Sequence, residues 1–277
     1  MSCSVEILSL GNELLKGMVV NTNAQWLAKK ITNLGGDIKR VTVLSDDVKT
    51  IASEMLEAIN RKPDFLITTG GLGPTHDDLT LKGIATALKL QLSINKEAEK
   101  LVREKCAKHA NVPFSELILK PTQIKMATLP EGFKPLNNPI GTAPGVIGKK
   151  DETILVSFPG VPNEMKSIFS ESVSSLIRSH MEERYYNEIN LKIKGIIESE
   201  LAPLIEKVQK LYPQVYIKSR PFKGGSTPIV KLHLSTTSDT NSEGLTRLKN
   251  STTCIKQLLT KVNSVIFEEI SQNTPSS

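Results

Sequence analysis

Short apolar runs alternate with segments of helical period through the first third of the chain. The runs are Val5-Glu6-Ile7-Leu8-Ser9-Leu10, Ile38 to Leu44, and Phe65 to Thr69. After the first, Ala24, Leu27, Ala28, Ile31 and Leu34 recur at helical spacing. Val48, Ile51, Ala52, Met55 and Ile59 follow the second, and Leu81, Ile84, Ala85 and Leu88 the third. One of Asn21, Thr22 and Asn23 supplies an N-cap and Gly35 a C-terminal stop, while Pro63 ends the second helix. Strand–helix alternation with short connections predicts a mostly parallel sheet with helices on both faces, a three-layer α/β fold.

Later segments are less regular. A helix is expected from about Glu97 to His109, then loops rich in Pro and Gly up to about residue 150. Thr153 to Phe158 reads as another buried strand, leading through Pro159-Gly160-Val161-Pro162 into a helix ending near His180. Beyond the polar cluster Glu182-Glu183-Arg184 the pattern changes. A strand (Ile189, Leu191, Ile193), a helix (Leu201 to Leu211) and two strands (Val215–Ser219, Ile229–Leu234) come first. A helix (Leu245 to Val262) and a last strand (Val265 to Phe267) complete a small α+β domain. The expected division is 1–181, 182–270 and a frayed tail, 271–277, without an apolar residue.

The turn Thr68-Thr69-Gly70-Gly71-Leu72-Gly73-Pro74-Thr75-His76-Asp77-Asp78 carries the chemistry. Glycines between a buried strand and a helix let backbone N–H groups approach an anion, and the helix N-terminus favours negative charge. Asp77 and Asp78 would repel a phosphate unless a cation lay between, so a phosphate with a divalent metal is implied. Neither the full Rossmann fingerprint nor a Walker lysine is present, and either aspartate could instead cap the helix beginning near Leu79. Glu13, after the first strand, and Asp46, after the second, sit where ligands of open parallel sheets lie; each could equally be a surface acid. The loops Asn138-Pro139-Ile140-Gly141-Thr142-Ala143-Pro144-Gly145 and Ser157-Phe158-Pro159-Gly160 are either ligand walls or rigid connections.

Composition excludes several classes. With 39% hydrophobic and 23% charged residues the chain reads as ordinary and soluble. Its charge of +6 is dispersed, and aromatics at 4% argue against stacking on single-stranded bases. Cys3, Cys106 and Cys254 have no metal or disulfide spacing, which fits a reducing cytoplasm. No run approaches a membrane span, and the scattered histidines form no triad.

Four motifs occur in order: Gly-Asn-Glu-Leu-Leu-x-Gly from Gly11, Thr-Thr-Gly-Gly-Leu-Gly-Pro-Thr-x-Asp-Asp-Leu-Thr from Thr68, Asn-Pro-x-Gly-Thr-Ala-Pro-Gly from Asn138, and Phe-Pro-Gly-Val-Pro-x-Glu-Met from Phe158. Together they resemble the N-terminal part of the competence/damage-inducible CinA proteins, within the molybdopterin-binding domain superfamily of MogA, MoaB and MoeA. The remainder resembles, less specifically, the small KH-like domain that follows in those proteins. The resemblance implies a nucleotide or pterin ligand, a second copy of the chain as partner (a homodimer), and metal-dependent hydrolysis of a pyrophosphate bond, ADP-ribose being favoured.

In that reading Gly70, Gly71, Gly73 and Thr75 hold a phosphate. Glu13, Asp77 and Asp78 place Mg2+ or a transition metal such as Co2+, and Asp46 and Asp78 are the catalytic acids. Asn138, Gly141, Thr142, Ala143, Gly145, Pro159 and Gly160 line the rest of the ligand. The pyridine-nucleotide deamidase activity of bacterial CinA is not implied, because no such domain follows. Lys120-Pro121-Thr122-Gln123 matches the family's basic loop only loosely. Gly224 and Gly225 are adjacent rather than spaced as a Gly-x-x-Gly clamp, so nucleic acid is disfavoured as a partner of the second domain. Molybdopterin binding or adenylylation, and a non-enzymatic nucleotide-binding scaffold, are the alternatives.

Overall fold

The apolar runs pair as parallel strands. In a computed structural model describing residues 3–180, 185–222, 227–260 and 266–273, β1 (Ser4–Leu10) lies between β2 (Asp37–Leu44) and β3 (Phe65–Thr69). Between β1 and β2 run the short α1 (Asn12–Leu15) and α2 (Thr22–Asn33), the latter capped by Asn21 Oδ1, which accepts from Ala24 N at 3.1 Å. Next comes α3 (Val48–Asn60), whose cap Asp47 accepts from Thr50 N at 2.8 Å. Beyond β3 the order is α4 (Thr80–Leu88), β4 (Leu92–Ile94), α5 (Lys96–Ala110), α6 (Pro121–Met126), β5 (Thr128–Pro130), β6 (Lys134–Leu136), β7 (Gly145–Lys150) and β8 (Thr153–Phe158). A helical stretch of α7 (Pro162–Ile168), a π turn at Phe169–Val173 and α8 (Ser174–Ser179) closes this unit.

The main sheet has the order β2-β1-β3-β8-β7-β6, parallel across its first four strands and antiparallel at β7 and β6. The segment 92–150, expected as loops after its helix, thus supplies two strands of this sheet, and β4 pairs with β5 as a separate two-stranded piece. Strands of three residues containing prolines carry too little periodicity to be read in advance.

Both faces of β1 and β3 are buried, which is why their sequences run apolar without strict alternation. One face puts Leu8, Leu66 and Leu155 against Ile51 and Met55 of α3, Ile84 of α4 and Val102 of α5. On the other, Phe158 stacks near Phe169, which meets Trp26 of α2 edge-on at 5.3 Å, while Phe65 meets His180.

Close packing of α3 on α4 depends on Gly83. A Cβ there would stand 2.2 Å from Ile51 Cγ2, with Ile51 only 1% exposed. Valine differs little from glycine in helix propensity, so overpacking decides: Gly83→Val is expected to cost about 1–3 kcal/mol, read as a lowered urea midpoint.

The second unit runs from β9 (Tyr185–Lys194) through α9 (Glu198–Leu211), β10 (Tyr216–Phe222), β11 (Ile229–Ser238) and α10 (Asn241–Leu259) to β12 (Ile266–Asn273). Its sheet, β10-β11-β9-β12, is antiparallel throughout, and the strand–helix–strand–strand–helix–strand order is the split-βαβ arrangement. Ile189, Leu191, Ile193, Val230, Leu232 and Leu234 face α9 and α10 and form a separate core.

Strand ends differ from expectation in two places. Pro221 and Phe222, beyond the strand end expected at Ser219, pair with Val230 and Ile229, which proline tolerates because β10 is an edge strand. Ser271, Gln272 and Asn273, expected as tail, pair with Asn190, Ile189 and Glu188; backbone pairing at an edge needs no apolar side chain. The cluster 182–184, Gly224-Gly225, Val265 and residues 274–277 lie outside the described residues.

Candidate functional site

Every parallel strand of the main sheet delivers a loop to the same end. In spatial order, β2 leads to Asp46, β1 to Gly11 and Glu13, β3 to the glycine turn, and β8 to Pro159 and Gly160. Chain order reverses at β1 and β3, since β2 was added on one side and β8 on the other, and such a switch point opens a crevice at the carboxyl ends. A cavity of about 890 Å³ occupies that position, within the size range of small-molecule sites.

The turn is held open by backbone geometry. Gly70 and Gly71 have φ of +105° and +68°, conformations that side chains rarely adopt. Added Cβ atoms would lie 2.4 Å from the Leu10 carbonyl oxygen and 2.3 Å from Thr80 Oγ1, so space and φ both demand glycine. Gly70 N donates to Phe158 O at 3.0 Å, and Thr80 Oγ1 donates to Gly70 O at 2.6 Å, tying β3 to β8 and to the start of α4.

Asp77 and Asp78 do not cap α4. Leu79 occupies the cap position, with no side-chain cap bond. Thr75 N donates to Asp78 Oδ2 at 2.7 Å, and Thr75 Oγ1 lies within bonding reach of both Asp78 Oδ2 and Asp77 Oδ1. One hydroxyl proton serves one acceptor at a time, so the two carboxylates compete for the Thr75 hydroxyl, each keeping a backbone N–H besides. The Thr75 hydroxyl, the Asp77 backbone N–H, His76 and Lys125 hold Asp77 below the ordinary carboxylate range. Lys125 also donates to the Thr75 carbonyl, gripping the turn from α6.

Asp46 behaves oppositely. Burial raises its pKa most; the Asn12 N–H, donating to Oδ2 at 2.8 Å, lowers it, and the neighbouring charges of Glu13, Asp77 and Asp78 raise it again. Asp46 therefore senses three other acids of the same cavity.

Those acids offer only oxygen donors, the set that suits a hard divalent cation. Among the described residues no three His, Cys, Asp or Glu side chains converge into a metal cage. Glu13, Asp77 and Asp78 are thus cavity neighbours and not a preassembled triad. One or two carboxylates supplemented by ligand phosphates and water is the usual arrangement for Mg2+, and the under-supplied Thr75 proton fits a cation there.

Of the other residues singled out above, Gly70, Gly71, Gly73, Thr75, Thr142, Ala143, Pro159 and Gly160 line the cavity. Asn138, Gly141 and Gly145 do not. Asn138 is 2% exposed; its amide donates to Ala143 O and Glu164 Oε2, both at 2.7 Å, and accepts from Gly141 N at 2.8 Å. It shapes the loop that presents Thr142. Gly141 is compressed against Glu164, and Gly145 starts β7 beneath Ile168.

Sequence reasoning noticed the motifs of Glu164 and of Lys120, Thr122 and Gln123 without assigning them to the wall, and missed His109 on α5. The last four arrive only because α5 and α6 fold back over the sheet ends, which no local spacing announces. Asn23 was also missed: its Nδ2 donates to Thr69 Oγ1 at 2.9 Å and to Gly160 O at 2.8 Å, bracing two cavity loops.

Residues 6–179 match the family described as probable molybdopterin binding domain. The chain belongs to that family. CinA from Thermoplasma acidophilum, a solved structure, is similar at a TM-score of 0.57 and 33% identity, covering 63% of this chain and 98% of that one. A protein of Pyrobaculum arsenaticum is 40% identical over 245 residues, 87% of this chain and 89% of its own length. One of Sulfurisphaera tokodaii is 35% identical over 265 residues, covering 95% and 97%. The fold is therefore CinA-like, with a molybdopterin-binding-type α/β unit followed by an antiparallel-sheet unit. Among the described residues no helix is long and apolar enough to cross a membrane.

Proposed function

We propose that this cavity binds a nucleotide and hydrolyses its phosphoric anhydride, with ADP-ribose the favoured substrate. The observation that carries the reading is the joining of the Gly70–Thr75 turn to Glu13, Asp46, Asp77 and Asp78 in one cavity at the switch point. Backbone N–H groups of the turn and the Thr142 hydroxyl hold phosphate oxygens. Asp46, the acid with the raised pKa, accepts a proton from the attacking water. The water oxygen bonds to phosphorus as the bridging P–O bond breaks, giving AMP and ribose 5-phosphate. A divalent cation at Asp77, Asp78 and Glu13 would neutralise the phosphates and acidify the water.

The test is chromatography of ADP-ribose incubated with the protein and Mg2+ or Co2+. AMP and ribose 5-phosphate are expected, and full activity in excess chelator would remove the metal role. Asp78→Asn keeps acceptors for Thr75 but loses a charge, so the Mg2+ needed for half-maximal rate should rise by roughly tenfold or more. An unchanged requirement would take Asp78 out of the ion's site.

Family membership supports a second reading, binding or adenylylation of molybdopterin in the same cavity. Molybdopterin displacing a fluorescent ADP-ribose analogue, with no hydrolysis under any metal, would favour it. The homodimer belongs to this proposal too, and sedimentation velocity measures it.

A further inference from the structure

We propose that the open face of the second sheet binds single-stranded nucleic acid. Its cations are scattered in sequence, which is why the chain reads as a dispersed basic surface, yet register gathers them. Arg220 lies directly opposite Lys231, and Lys231 directly opposite Lys192, three positive charges in a row across β10, β11 and β9. Lys218 stands two positions along β10 on the same face, opposite His233, and Lys194 on β9 stands opposite Ile229.

Like charges directly across a ladder repel and destabilise it. Glu268 relieves the β9 end, bonding Lys194 at 2.7 Å and Lys192 at 3.3 Å. At the β10–β11 end, Lys218, Arg220 and Lys231 have no ion pair among the described residues, and all three are exposed. The row is a standing repulsion that a polyanion would neutralise. With strands about 4.8 Å apart, the row spans roughly 10 Å, a reach suited to successive phosphates of an extended strand.

Charge alone would accept an acidic protein; the ring beside it favours nucleic acid. Phe222, 44% exposed, carries the Lys231 ammonium 3.9 Å from its ring centroid, and Tyr216, 60% exposed, lies further along the same strand face. Exposed rings among cations are the parts that single strands use, base on ring and phosphate on ammonium. Stacking does not need the Gly-x-x-Gly clamp whose absence argued against this partner. Although aromatics are scarce in the chain, two of them, Tyr216 and Phe222, are exposed on this one face.

The test is fluorescence anisotropy of the full chain with a labelled RNA of about 12 nucleotides. Neutralising about three phosphates predicts a log–log salt slope near −2, roughly a fifteenfold weakening between 50 and 200 mM salt. The double variant Arg220→Gln/Lys231→Gln should bind at least tenfold more weakly, with the slope shallower by about 1.4, while its melting temperature holds or rises as the repulsion is removed. Phe222→Ala should weaken binding without changing the slope. A control, Lys100→Gln/Lys149→Gln, removes the same charge from the first unit and should bind as the parent does. No binding at 50 mM salt, equal losses in variant and control, or an acidic polypeptide outcompeting the RNA would each overturn the proposal.

Discussion

Arg61→Ala is expected to lower the stability of the first unit by about 3–5 kcal/mol. Glu6 lies within β1, its side chain 5% exposed, beside the buried Val5, Ile7, Leu8 and Leu66. Arg61, just past α3, meets it with a two-pronged contact: Nε to Oε1 at 2.9 Å and Nη2 to Oε2 at 2.8 Å. Nη2 also donates to Glu54 at 3.0 Å, and the bond to Glu6 is the largest reason the guanidinium holds its proton more tightly than usual. Truncation removes this partner and strands a carboxylate among apolar side chains, so the loss is the cost of an uncompensated buried charge. Removing both partners as Glu6→Leu/Arg61→Leu should recover most of it, because desolvating two ions offsets most of what their attraction gives. Urea unfolding followed by Trp26, which lies in this unit, reads the first transition without the second. A loss below about 1 kcal/mol for Arg61→Ala, or a double variant no better than the single one, would mean that water reaches Glu6 after all.

This pair also marks the limit of what the sequence conveys. Glu6 could be read as a polar interruption in a strand, but its partner is 55 residues away and belongs to no recognisable pattern. β1, β3 and β8 were legible because burial on both faces keeps their sequences mostly apolar, and the glycine turn because positive φ at Gly70 and Gly71 leaves little choice of residue. What local reasoning could not separate were the residues lining the cavity from those one layer behind it. Asn138, Gly141 and Gly145 share a motif with Thr142 and Ala143, yet a tight loop alternates which residues face the ligand and which face its support. The α5 and α6 walls stayed unassigned for the reverse reason: His109 and Lys120 come together only through long-range packing. Likewise the basic row on the second sheet exists only in register, not in sequence.

The substitution Asp46→Asn should lower the proposed hydrolysis of ADP-ribose by about 10²–10⁴-fold and at the same time make the protein more stable at neutral pH. The two effects share one cause. Burial first, then the charges of Glu13, Asp77 and Asp78, raise the pKa of Asp46 above its unfolded value, against the opposing bond from Asn12. A carboxyl with a raised folded pKa favours the protonated fold. Its contribution is fully present below the unfolded pKa, near 4, and is lost as pH rises through the folded value. At pH 7 the ionised group therefore strains the site, and the same strain makes it a stronger base toward water. Asparagine is neutral at every pH and can still accept from Asn12 through its carbonyl oxygen. The variant should melt roughly 1–3 °C higher at pH 7, with the difference closing as the parent is titrated below about pH 4. Scanning calorimetry of both proteins across that range measures one half, and single-turnover hydrolysis the other. A variant that melts lower at pH 7 would make Asp46 a structural acceptor for Asn12; one that hydrolyses at the parent rate would give proton transfer to another acid lining the same cavity, such as Glu13 or Glu164.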